Sequence, residues 1–352
     1  MDRRVEPKSV IFIRRDNIGD LVCTTPAIRA VRLKCPESRI GVLVNSYNAD
    51  VIRGNPDIDE IYVYEKEKHS GDKGRLRVFS ENVALMRKVR RAGFDAAIGC
   101  SYGFSPRLAR FVFLTGAKTR IGFVPDKAAH SRFSYDIGIE EPKETIHEVE
   151  AMMRLVEPFG VTGPPPPPAI VPDEREVDKV KRTLMEKGDE GGGAGVVAIH
   201  ISSRKPRNRW PAESFARLAD LIEKEFSARV LLLWSPGDKK NPLHPGDDKE
   251  AEDVAMAMRR KPLMYRTERL CELIAALSLA AVVVCSDGGA MHIAAGLARP
   301  LLTVWGSTNP RRWAPWGVDH IILKKETGRA SDVSAAEAFV AFRELYGRHF
   351  DG

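Results

Sequence analysis

The chain has 352 residues, more than one hydrophobic core usually organises, so two domains are the default expectation. Apolar residues make up 43% and charged residues 29%, a balance that excludes wholesale disorder. The formal charge of +7 and a pI near 9.1 suit an anionic substrate or an anionic lipid surface, and do not by themselves indicate nucleic acid.

The first half alternates short apolar runs with helical periodicity. Ser9–Arg14 reads as a strand, followed by a polar loop and a helix over Thr25–Leu33. Further strands are predicted at Arg39–Asn45, Glu60–Tyr64 and Phe94–Cys100, with helices over Glu81–Ala92 and Arg107–Leu114. Apolar runs separated by helical segments point to parallel strands with crossover helices.

Residues Gly163–Pro172 read GPPPPPAIVP, and five consecutive prolines can continue neither a helix nor a central strand. An extended connector fits; a docking segment for a polyproline-binding partner is the alternative. The expected organisation is an N-terminal domain over 1–163, a linker over 164–172 and a C-terminal domain over 173–333. A final helix over 334–352 is expected to pack back across the junction.

The second half opens with a helix over Glu174–Lys187 and repeats the pattern. Strands are expected at Val196–Ile201, Arg229–Trp234, Ala281–Cys285 and Leu301–Trp305. The helices are Ala212–Glu225, Asp248–Arg260, Leu270–Leu279, Ala290–Leu297 and Ser334–Tyr346. The fold class is therefore α/β, two Rossmann-like domains joined by a linker.

Three segments could carry chemistry. In RRDNIGDLVCTTPAIRAVR, Asp20 sits where a strand's exit loop enters a helix, the end of an open α/β sheet at which ligands bind. Capping that helix is the equally available reading. In HISSRKPRNRWP, two hydroxyls (Ser202, Ser203) and the cations Arg204, Lys205, Arg207 and Arg209 crowd a strand-to-helix loop. Such a loop suits a diphosphate or is simply a solvated basic turn. In CSDGGAMHIAAGLARP, Asp287 precedes Gly288, Gly289 and Ala290. Backbone N–H groups there can face an anion, and His292 follows within the helix.

Together these segments resemble glycosyltransferase family 9, the ADP-heptose:lipopolysaccharide heptosyltransferases. The resemblance rests on IGDLVCTTPAIRAVR, RIGF at Arg120–Phe123, RWP at Arg209–Pro211, SDGGAMHIAAGLARP and GSTNP, in that order over nearly the whole chain. It implies a GT-B architecture whose parallel sheets face a central cleft, an inverting transfer, and neither metal nor cofactor. By this resemblance Asp20 is the general base and Asp287 binds the donor sugar. Gly288, Gly289 and Ala290 cradle its phosphates, with Ser202 and Ser203 beside them.

Two departures stand out. The family often has lysine where this chain has Asn208, so Arg207 or Arg209 is expected to supply the cation. After Trp234 an insertion displaces the acidic residue that holds the ribose in the family, and Asp238 is the expected stand-in.

The implied partners are an ADP-sugar donor and an anionic glycolipid acceptor, with no nucleic acid, for a monomer in the cytoplasm that can touch the inner face of the inner membrane. Lys66, Lys68, Lys73, Arg75 and Arg77, and nearer the cleft Arg107, Arg110, Lys118 and Arg120, are candidates to attract that acceptor, or are solvated charge. Lys66, Arg75, Arg107 and Arg120 are taken as its contacts. The reading requires Asp20 and the Gly288–Gly289 pair to meet across one interdomain gap. A sugar-nucleotide epimerase or hydrolase of the same fold, or a non-catalytic relative, is the alternative.

Other patterns carry less. GGGAG at Gly191–Gly195 precedes its strand instead of following it, and SGDKGR lacks the spacing of a phosphate loop. Asp57 and Asp59 form a DxD string that reads as turn residues. The eight histidines lack zinc-ligand spacing, and the five scattered cysteines suit a reducing compartment. The N-terminus lacks a signal-peptide pattern, and the longest apolar tract, Leu273–Cys285, is shorter than the roughly 18 residues that span a bilayer.

Overall fold

The computed structural model describes residues 7–66, 74–125, 135–186, 195–238 and 246–350. The chain divides into two units, one of residues 1–170 with 311–313, the other of 171–310 with 314–352. The division falls inside the proline-rich stretch. Ala169 there is tied to the first unit: its N–H donates to the Thr25 hydroxyl and its carbonyl accepts from Asn55.

In chain order the first unit contains β1 (Ser9–Ile13), α1 (Ile18–Val22), α2 (Thr25–Lys34), β2 (Arg39–Asn45) and β3 (Glu60–Tyr64). There follow α3 (Arg75–Ala92), β4 (Ala96–Gly99), α4 (Pro106–Leu114), β5 (Thr119–Val124), β6 (Ile137–Glu140) and α5 (Glu148–Arg154). Its six strands are all parallel, ordered β3-β2-β1-β4-β5-β6. The β1 run SVIFI is buried at every position, as a central parallel strand covered on both faces must be.

The second unit contains α6 (Glu174–Glu186), β7 (Val196–His200), α7 (Ala212–Phe226), β8 (Arg229–Trp234), α8 (Asp248–Ala257) and β9 (Leu263–Arg266). It continues with α9 (Leu270–Ser278), β10 (Ala280–Ser286), α10 (Gly289–Gly296) and β11 (Leu301–Trp305). After α11 (Pro310–Trp313), of which residues 311–313 cluster with the first unit, come β12 (His320–Lys324) and α12 (Ala335–Phe350). Its parallel sheet runs β9-β8-β7-β10-β11-β12, the strand order of the first unit repeated. The order reverses between β1 and β4, and between β7 and β10. Such reversals open a crevice outside the carboxyl ends of the strands, where ligands of this fold class bind.

Helix α12, expected to return across the junction, packs within the second unit. Phe342, Leu345 and Tyr346 are buried in the same core as Phe215 and Ile222 of α7, and Phe226 lies against the Phe342 and Tyr346 rings. Its apolar stripe matches the face that α7 leaves open, so the helix completes this core. Helix α3 begins six residues before the predicted Glu81, and β5, β6, β9 and β12 were not anticipated as strands. Among the described residues no helix is long and apolar enough to cross a membrane.

Candidate active site

In the first unit, α1 follows β1 after four residues, and Asp20 is its third residue. One Asp20 oxygen accepts the backbone N–H of Asn17 at 3.0 Å, so the carboxylate does cap its helix. The other lies 2.6 Å from Nη2 of Arg14. The capping alternative is thus realised, and the second oxygen is held by an arginine.

Arg14 is buried to 1% exposure and serves several acceptors. Its Nη2 also reaches Oε1 of Glu148 at 2.8 Å, its Nε lies 3.3 Å from Asp16, and its Nη1 faces the sulfur of Met152. Burial works against the guanidinium charge, but Asp20, Glu148 and Asp16 more than offset it, and the Arg14 pKa is raised.

Glu148, fully buried at the start of α5, completes the network. Its Oε2 takes both Nε and Nη2 of Arg312, at 3.0 and 2.9 Å, a forked charge-assisted pair. Arg312 stacks over the Tyr102 ring at 3.8 Å. Arg14, held by Glu148 and Asp16 with Arg312 behind Glu148, therefore fixes one Asp20 oxygen in place. The arrangement can orient a carboxylate to accept a proton from a hydroxyl.

The candidate acceptor contacts separate into groups. Lys66 is close enough to Asp16 to favour its charged form, against the desolvation that dominates there and raises the Asp16 pKa. Arg107 is exposed as the second residue of α4, at the carboxyl end of β4 and the same end of the sheet as Asp20. Arg75 opens α3; Lys68 and Lys73 lie outside the described residues.

Arg120 does not join this group. It is the second residue of β5, at the amino end of the sheet, and its guanidinium is forked onto Asp136 with both bonds at 2.9 Å. That pairing raises the Arg120 pKa and fixes the β5–β6 edge. Asp59 likewise is structural, tied to Arg32 and to the N–H of Ile40.

In the second unit, the loop after β7 and the turns after β10 and β11 converge on Asp287. Asn208, 1% exposed, donates to Oδ2 of Asp287 at 2.7 Å, and the Thr308 hydroxyl donates to the same oxygen at 2.6 Å. Lys205 lies 3.3 Å from the Thr308 hydroxyl, and Lys324 donates to the Thr308 carbonyl. Two cations therefore stand one residue from Asp287. Asn208 holds the aspartate with a neutral amide, and Lys205 brings positive charge beside it.

The 206–208 turn packs directly on Gly306. A Cβ there would lie 2.3 Å from the carbonyl oxygen of Arg207 and 2.4 Å from Oδ1 of Asn208, so only glycine permits this approach. At Gly288, by contrast, a Cβ would meet no atom within 4 Å, and the space before α10 is open. Gly289 and Ala290 begin that helix, and His292 is buried in it. The hydroxyl of Ser286, at the end of β10, is buried without a hydrogen-bond partner.

Other expectations shift. Arg209, expected to offer a cation, is paired with Asp247, the N-cap residue of α8, whose side chain is 1% exposed. Arg207 is exposed. Ser202 accepts the N–H of Ser235 at 2.9 Å, joining the β7 and β8 loops, and Ser203 is buried. Asp238 is exposed, and its carbonyl accepts the N–H of Gly246, closing the base of the insertion. Beside these loops His200, the last residue of β7, is buried and its pKa is lowered to about 4 by desolvation, with Asp247 partly opposing the shift. Arg14, Glu148, Arg312, Thr308 and Asp247 were not singled out from the sequence. GSTNP pointed to Thr308; nothing local marks Glu148.

Two parallel six-stranded units of one topology, each with polar loops at its carboxyl ends, define a GT-B fold. The architecture recurs in the glycosyltransferase family 9 protein of Veillonella parvula DSM 2008, at a TM-score of 0.83 with 21% identity over 99% of both chains. It recurs in the Escherichia coli heptosyltransferase WaaC with ADP-2-deoxy-2-fluoro heptose, at a TM-score of 0.71 with 17% identity, covering 96% of this chain and 99% of that one. Among curated proteins, lipopolysaccharide heptosyltransferase 3 of Escherichia coli K12 is 23% identical over 301 residues, covering 85% of this chain and 82% of that protein. The family profile described as glycosyltransferase family 9 (heptosyltransferase) matches residues 82–340, and the chain belongs to that family. It is a glycosyltransferase.

Proposed function

We propose that the chain transfers heptose from ADP-heptose to an acidic lipopolysaccharide core, with inversion at the anomeric carbon. The observation that carries the reading is the Asp20 carboxylate oriented by a buried arginine at 2.6 Å. In this scheme Asp20 takes the proton of the acceptor hydroxyl as its oxygen attacks the anomeric carbon. The bond from that carbon to the diphosphate breaks, and ADP leaves with the electron pair. Asp287, held by Asn208 and Thr308, accepts hydrogen bonds from the sugar hydroxyls. Lys205, Lys324 and the N–H groups opening α10 offset charge on the departing diphosphate. Lys66 and Arg107 draw in the acidic acceptor.

The names of the relatives support the sugar and the acceptor: one is a lipopolysaccharide heptosyltransferase, and the other is described with an ADP-heptose analogue. The test is Asp20→Asn with ADP-heptose and a core acceptor. The amide oxygen keeps the Asn17 N–H while its NH2 faces Arg14, so some stability is lost, but the donor dissociation constant should hold. Turnover should fall by about 10²–10⁴-fold. Near-normal turnover would remove Asp20 from the role of base.

A further inference from the structure

Helix α3 has two apolar stretches where packing needs one. Val78 and Val89 are buried, with Leu85 and Met86 packed against the first unit's core beneath the sheet. At 100° per residue, positions 76, 83, 87 and 91 fall on the far side, with 79 and 90 on the flank between the two. Leu76 is 86% exposed and Phe79 is 67% exposed, in the first turns of the helix. Further along, Arg87, Lys88, Arg90 and Arg91 are exposed.

Helix α4 lies beside it, sharing the same core cluster. A Cβ at Gly116, just past α4, would sit 3.2 Å from the Arg90 side chain, which places the two helix ends together. On α4, Phe113 is 57% and Leu114 46% exposed, with Arg107 and Arg110 exposed as well. The two helices hold eight arginines and lysines against one acidic residue, Glu81. Their net charge equals the +7 of the entire chain.

We infer that this two-helix face docks onto an anionic phospholipid bilayer, Leu76 and Phe79 entering the interfacial region and the basic turns of α3 and α4 pairing with headgroup phosphates. Large apolar side chains held in water beside a surplus of cations are the composition of an in-plane interfacial helix. An acidic protein would complement the charge but gives no reason for a leucine and a phenylalanine to stand this exposed. The inference concerns a surface of the first unit and does not depend on which sugar is transferred.

The experiment is sedimentation of the full chain with vesicles of phosphatidylcholine alone, and of phosphatidylcholine and phosphatidylglycerol in equal parts. Binding is expected to the anionic vesicles, weakened by salt, and not to the neutral ones. The variants Leu76→Ser with Phe79→Ser, and Arg87→Glu with Arg91→Glu, should each lower binding at least about tenfold. Their melting temperatures and turnover with a water-soluble acceptor should stay near the parent values. No binding by the parent, equal binding to neutral vesicles, or unchanged binding by both variants would overturn the inference. So would a dimer of the parent that the serine variant dissolves, since the face would then join two copies.

Discussion

Nη2 of Arg14 stands 2.6 Å from Asp20 and 2.8 Å from Glu148, so one nitrogen serves two carboxylates that lie 128 positions apart in the sequence. Asp20 is therefore oriented from beneath by a charge that cannot leave, because Arg14 has almost no solvent exposure of its own.

Glu148 should then affect the reaction without touching substrate. Glu148→Gln keeps one acceptor oxygen, turns an amide NH2 toward the other guanidinium, and removes the negative charge between Arg14 and Arg312. Turnover is expected to drop about tenfold, equivalent to about 1.4 kcal/mol, while the donor dissociation constant stays within about twofold. Glu148→Asp should restore part of the loss. Glu148→Ala leaves two guanidinium groups short of a buried partner and should cost about 3–5 kcal/mol in urea unfolding. Equal losses of turnover and donor affinity in the glutamine variant would make its role merely structural.

Asn208→Ala removes one of the two donors on Oδ2 of Asp287. Loss of a bond to a charged group should cost about 1.5–3 kcal/mol of stability and weaken donor binding, readable by calorimetry with ADP-heptose. Thr308→Val should do the same through the other donor. Unchanged donor affinity in both variants would detach Asp287 from the donor.

At Gly306 the obstacle is backbone. Gly306→Ala forces a methyl group against the Arg207 carbonyl, which cannot rotate away as a side chain would. Unfolding should ease by about 1–3 kcal/mol, with donor affinity falling because Asn208 is displaced. Gly288→Ala should leave stability nearly unchanged, the space there being open, and reveal through donor affinity alone whether that space receives the phosphates.

His200 gives a pH signature. Its folded value of about 4 lies below the ordinary 6.5, so between these values the unfolded chain holds a proton that the native chain refuses. Stability from this residue rises with pH across that window and is lost on acidification, by about 2–3 kcal/mol near pH 4.5. His200→Gln should flatten that part of the stability curve, as measured by urea unfolding at several pH values.

The fold was legible where apolar runs are long and uninterrupted. The bounds of β2, β3, β8 and β11 follow from the residues alone. The short β6 and β9 span four residues each, too few for alternation or continuous apolarity to stand out. Helix α3 was read two turns short because Leu76 and Phe79 do not face the core and break the expected stripe.

At the site, residues next to a strand end or a glycine pair could be found: Asp20, Asn208, Asp287 and Gly288. What decides their state lies elsewhere in the chain. Arg120 looked like an acceptor contact because its motif shows neither that it opens a strand nor that Asp136, sixteen residues on, takes its charge. Arg209 looked like a cation for phosphate because Asp247, 38 residues on, leaves no local trace.

The grouping of residues 311–313 with the first unit bears on how the protein can be dissected. A gene truncated after codon 170 would encode every strand of the first sheet yet leave out three residues of its own unit. Such a fragment would retain Glu148 with one arginine in place of two. Asp16, Asp20 and Glu148 would then share one guanidinium, and catalytic or structural work on the isolated half would report on an altered electrostatic setting.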